Sequence, residues 1–119
     1  MTSTSPPFQN VVLNSLSASD LKLIQPSLES DALPVRHLIE TANKPIKRVY
    51  FLEDGLASVI ATNRSHRLEV GLIGRDGMTG ISVVLGQDTS PNETFIQVAG
   101  TGHSIPVQAL RTAMDKSRS

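Results

Sequence analysis

The stretch "EVGLIGRDGMTGISVVLG", Glu69 to Gly86, holds the residues best placed for chemistry. Five of the chain's eight glycines, Gly71, Gly74, Gly77, Gly80 and Gly86, lie there among aliphatic side chains. Glycine-rich turns between strands leave backbone amides bare, and successive N–H groups form a concavity that holds anions such as phosphate. Arg75 is the cation within this loop and could meet a small anion or a partner, although a turn arginine is ordinarily a solvated one. Glu69 and Asp76 make a carboxylate pair on paper. Asp76, however, sits in a turn where aspartate bonds its own backbone, and Glu69 reads as an outward-facing strand residue.

Other chemistries find less support. The three histidines, His37, His66 and His103, lie about thirty residues apart with no His-x-His pair, so no metal site is expected. A nucleophile needs an adjacent base and a group that orients it. Ser82 lacks the flanking glycines of a nucleophile elbow, and no other serine supplies one. The chain is not expected to be an enzyme.

The elements that must position the loop follow from patterning. "NVVLNSLSASDLKLIQPSL" reads as two short helices, with Val11, Val12, Leu13 and Leu16 as the apolar face of the first. Ser17 or Ser19 caps the second, Asp20 lies in or beside its first turn, and Pro26 ends it near Gln25. Then come short β-branched runs: "RHLIE", "RVYFLE", "LASVIAT", "RLEVGLIG" and "TFIQVAG". "EDG" at 53–55 signals a hairpin turn, and "NRSH" at 63–66 a second polar tip. Neither face of 56–62 is strongly polar, as for a sheet covered on both sides. Closely spaced runs without long helices between them predict an antiparallel sandwich or barrel. "VQALRTAMDKSRS" begins a closing helix at Pro106, with Val107, Leu110 and Met114 in a stripe that packs back onto the roll or starts a dimer seam.

Composition bounds the rest. The 119 residues suit one domain with a modest core, and 3% aromatic content makes that core aliphatic. Eleven basic residues balance eleven acidic ones, which argues against unaided binding to DNA. There is no cysteine, hence no disulfide, thiolate or cysteine-ligated metal. Neither a signal peptide nor a membrane-length apolar run is visible, so a cytoplasmic protein without membrane contact is expected.

"VYFLEDGLASVIA", "LEVGLIGRDGMTG" and "FIQVAG" occur in an order and spacing that resembles the effector domain of Crp/Fnr-type bacterial transcription regulators, from about Asn10 to Lys116. The resemblance implies a mainly β, double-stranded β-helix or jelly-roll domain of the cyclic-nucleotide-binding type over 10–116. Short helices open it and its C-terminal helix is truncated, while residues 1–9, rich in Ser, Thr and Pro, read as a flexible arm. It also implies a role in transcription control. Nothing in the chain resembles the family's helix-turn-helix, so DNA is expected to be reached only through a full-length relative, by homo- or heterodimerisation. Cyclic-nucleotide binders of the family place Gly-Glu at the start of a phosphate-binding helix and an arginine several residues later. Here Gly80 matches the glycine, Ile81 stands where the glutamate belongs, and Asn92 or Glu93 stands where the guanidinium belongs. The degenerate ligand site this implies comprises Gly77, Thr79, Gly80, Ile81, Ser82, Asn92, Glu93 and Thr94. A phosphate without its arginine lacks its usual bidentate partner, and Glu93 would repel it if it faced the pocket. The expectation is therefore no cofactor, a cyclic nucleotide disfavoured, and either another small-molecule effector or a free-standing protein-interaction roll that pairs with full-length relatives. The helix contact would be made by Val107, Leu110 and Met114.

Overall fold

The computed structural model describes residues 8–63 and 65–118. Most of the expected arm, 1–7, lies outside them. Phe8 is buried with its ring edge-on to His103, and the Gln9 amide donates to Glu53. Two short helices follow, α1 (Val11–Ser15) and α2 (Ala18–Ile24). Asn10 caps α1 by accepting from the Leu13 amide, and Ser17 caps α2 by accepting from the Asp20 amide. Pro26 has no N–H to continue the α-helical ladder, and the chain tightens into a 3-10 turn over Gln25–Ser27.

Seven strands build two antiparallel sheets. The first has the order β1-β7-β3, with β1 Glu29–Leu33, β3 Arg48–Leu52 and β7 Gly100–Pro106. The second has the order β2-β6-β4-β5, with β2 Leu38–Glu40, β4 Leu56–Asn63, β5 His66–Ile73 and β6 Glu93–Val98. The jelly-roll class expected from the sequence is the observed one. The five runs read as strands are strands. β1 and β7 escaped because "ESDAL" is mostly polar and "GTGHSIP" holds two glycines and a proline.

Two details of the β reading differ. "EDG" is not a hairpin, since β3 pairs with β7 while β4 pairs with β5 and β6. The turn instead carries the chain from one sheet to the other. Gly55 takes φ +83° there, and a Cβ would fall 2.6 Å from the Val98 carbonyl oxygen. Of the expected tip "NRSH", Asn63 lies opposite His66 where β4 meets β5, and residue 64 lies outside the described residues. β4 is covered on both sides at its middle, where Ala57 and Ser58 are both buried. The edge strand β5 is not, and Leu68, Val70 and Leu72 stand more than half exposed.

The core divides in two. Between the helices and the outer face of the first sheet lie Leu13, Ile24, Val49, Phe51, Ile105, Leu110 and Ala113. Inside the roll, between the sheets, lie Leu33, Leu52, Ala57 and Ile96. The last helix, α4 (Val107–Arg118), packs along α2. No helix among the described residues is long and apolar enough to cross a membrane.

Candidate functional site

The glycine loop leaves β5 at Ile73, and its backbone is largely committed to other parts of the chain. The Gly77 amide donates to the Gly74 carbonyl, the Arg75 carbonyl accepts from Val11, and the Gly77 carbonyl accepts from the Asn10 side chain. Thr79 is fastened to β3 twice. Its amide donates to the Tyr50 carbonyl and its hydroxyl oxygen accepts from the Tyr50 amide, both at 2.9 Å. Gly77 and Thr79 thus hold the loop to α1 and β3. Arg75 and Asp76 stand exposed on it. Glu69 points outward on β5 and accepts from the Ser58 hydroxyl.

Gly80 ends the loop at φ +71° and caps the one-turn helix α3 (Ile81–Val84). A Cβ at Gly80 would stand 2.8 Å from the Val49 side chain and 3.8 Å from a carboxylate oxygen of Glu40. That carboxylate is the unexpected member of the site. Glu40 is 7% exposed and accepts a hydrogen bond from the Gly80 amide. Burial raises its pKa above the ordinary carboxyl range, and the Gly80 N–H lowers it by a smaller amount. Among the described residues it has no salt-bridge partner.

Sequence reasoning missed Glu40 for a geometric reason. Leu38 lies opposite Phe95 and Glu40 opposite Thr94, with a register shift between them. Strict alternation would put Leu38 and Glu40 on one face, whereas the irregularity turns Glu40 to the inner face. There it meets Thr94, which is buried beside Val59 of β4. Glu93 does the reverse. It lies opposite Ile60 on the outer face, where its carboxylate accepts from Arg67 and raises the Arg67 pKa. The negative charge at the site therefore comes from Glu40 and not from Glu93. Asn92 is half-buried and its amide donates to the Ser90 hydroxyl oxygen. Ile81 is 57% exposed on α3, and Ser82 is half-buried with its carbonyl taken by the Gln87 amide.

The first sheet supplies the facing wall. Arg48 donates to the Ser104 hydroxyl and pairs with Glu29, while Ser104 donates to Asp31. Tyr50 stands among them, its pKa raised by burial and next by the Asp31 carboxylate. A cavity of about 500 Å³ is lined by Glu40, Tyr50 and Arg48, with Ile39, Lys44 and Lys47 also on its wall. Lys44 and Lys47 are exposed.

Two like unit charges about 4 Å apart repel by roughly 4 kcal/mol at an effective dielectric constant of about 20. The end of a helix returns only about 0.3–1 kcal/mol at exposed sites, and α3 is a single turn.

The remaining candidates are dispersed. Leu110 is buried, and Val107 and Met114 pack partly against the same helical cluster. Leu110 and Met114 also line an apolar cleft of about 200 Å³ with Val12, Leu16, Leu23 and Met78, so the stripe is used within the chain. His37 precedes β2, His66 opens β5, and His103 on β7 lies 3.4 Å from Glu53.

No protein-family model matches the sequence, and no curated protein matches it. Solved structures do match in fold. A variant of the regulatory subunit of a cAMP-independent protein kinase A from Trypanosoma brucei, bound to cAMP in its A site, superposes with a TM-score of 0.74 at 14% identity, over 93% of this chain and 43% of that one. The variant replaces a glutamate with alanine, a threonine with arginine and a valine with alanine. The corresponding subunit from Trypanosoma cruzi, bound to guanosine, gives 0.76 at 14% identity over 89% of this chain and 38% of that one. The sensor domain of the transcriptional regulator DNR from Pseudomonas aeruginosa gives 0.70 at 11% identity over 85% and 72%. The chain thus spans less than half the length of the kinase subunits it matches. Its structural neighbours are cyclic-nucleotide-binding domains, Crp/Fnr-type regulators among them, and its fold is theirs.

Proposed function

We propose that this chain is the effector domain of a Crp/Fnr-type regulator whose cyclic-nucleotide seat no longer takes a cyclic phosphate and which responds to a different small molecule. The observation that carries this reading is the Glu40 carboxylate on the Gly80 amide, with Asn92 and not arginine before β6. The kinase subunits support it. A cAMP-independent protein is there bound to guanosine, and a variant that loses a glutamate and gains an arginine is bound to cAMP. With a formal net charge of zero, the domain reaches DNA through a longer relative with which it pairs.

The test is a calorimetric titration with cyclic AMP and cyclic GMP. The native chain gives no saturable heat. The double variant Glu40→Ala, Asn92→Arg, which removes the carboxylate and supplies a guanidinium, gains saturable binding. Native binding tighter than about 100 μM, roughly 5.5 kcal/mol, would show that the seat still functions for cyclic nucleotides. A folded double variant that ignores both ligands would count against descent from such a seat.

A further inference from the structure

We propose that the free edge of β5 pairs with β5 of a second copy of this chain, antiparallel and centred on Leu68, so that the four-stranded sheets of two copies join into one. This surface is separate from the ligand seat and from α4.

Two open sheets have four edges, and three of them are guarded. β1 carries Glu29 and Asp31, and β2 is three residues long with an irregular register. β3 is tied to Thr79 through both the amide and the carbonyl of Tyr50. β5 is different. It is eight residues long, pairs with β4 alone among the described strands, and is exposed at every residue from His66 to Val70. Leu68 is 66% exposed and Val70 53%. The ladder to β4 is regular from His66 to Glu69. A long apolar edge with unpaired backbone groups is a template for another strand.

The charges select which strand. Arg67 and Glu69 flank Leu68 and lie on one face of β5, since side chains two residues apart share a face. With two copies antiparallel and Leu68 opposite Leu68, Arg67 of each copy stands opposite Glu69 of the other, and the leucines meet on the second face. Centring the pair on Arg67 or on Glu69 sets like charges opposite each other. Both side chains keep capacity for this contact. Arg67 donates to Glu93 through one nitrogen, and Glu69 accepts from Ser58 through one oxygen. The contact uses the same patch on both copies and closes at a dimer.

The experiment is sedimentation equilibrium on the whole chain, which should be monomeric at about 10 μM and dimeric near about 1 mM. Arg67→Glu and Glu69→Arg each weaken association about tenfold or more, and an equimolar mixture of the two restores it because opposite signs then meet. The sequence has no cysteine, so single cysteines read the register. Opposed residues have Cα atoms about 4.5–5.5 Å apart, within disulfide reach, so Leu68→Cys cross-links on mild oxidation and Leu72→Cys does not. A native chain that stays monomeric up to about 1 mM overturns the proposal. So does a dimer that neither charge reversal weakens, or a mixture of the two folded variants that stays monomeric. Equal cross-linking at Leu68→Cys and Leu72→Cys overturns it as well. The cysteine comparison decides the matter even where a charge reversal prevents folding, as followed by circular dichroism.

Discussion

Glu40 carries a cost the fold accepts at its own site. Burial holds its carboxyl above the ordinary range against the smaller lowering by the Gly80 amide. A carboxyl with a higher pKa folded than unfolded keeps its proton more readily in the native state. Its contribution to stability is full below the unfolded value and is lost as pH rises through the folded one. Glu40→Gln keeps an acceptor for Gly80 and removes that loss. The variant should melt a few degrees higher than the native chain at about pH 7 and match it near pH 4, as followed by circular dichroism. A variant that melts lower at neutral pH would contradict the assignment. Gly80 makes the opposite case. Its φ of +71° and the 2.8 Å approach of Val49 to a virtual Cβ predict that Gly80→Ala destabilises by about 1–3 kcal/mol in denaturant unfolding. Gly80 was legible in the sequence through the resemblance, as the glycine that opens the short helix. Glu40 was not, because a single irregularity in β2 reverses the face that alternation assigns to it.

At the scale of elements, the unread contacts are those that join parts distant in sequence. Asn10 is fully buried, caps α1, and donates through its side chain to the carbonyls of Leu52 and Gly77. It ties the first helix to β3 and to the glycine loop at once. Asn10→Ala leaves those carbonyls and the Leu13 amide without that partner, and about 2–4 kcal/mol should be lost from the unfolding free energy. A loss under about 0.5 kcal/mol would show that the helix is not held this way. "EDG" failed as a hairpin for a related reason. Turn chemistry is local, whereas the choice of partner is not: Asp54 accepts from the Thr101 amide, and the turn is fixed to the start of β7. β1 and β7 were invisible because their pairing, and not their composition, makes them strands. Gly102 of β7 lets the chain pass so close that a Cβ would stand 2.9 Å from the Phe51 carbonyl oxygen.

For the molecule as a whole, the short runs predicted an antiparallel sandwich or barrel, and the resemblance carried by their order implied the jelly roll that is observed. What order could not supply was the content of the roll. The loop that looks like a phosphate cradle makes contacts to α1 and β3, and the group at its Gly80 amide comes from β2, on another element. The most direct measurement is the Gly80 amide resonance of the labelled chain, followed through a pH titration. A carboxylate bonded to that N–H predicts a Gly80 shift that titrates with a midpoint above the ordinary glutamate range, and a flat response in Glu40→Gln. A Gly80 resonance that ignores pH in the native chain, or titrates equally in both, would mean that Glu40 does not occupy the seat.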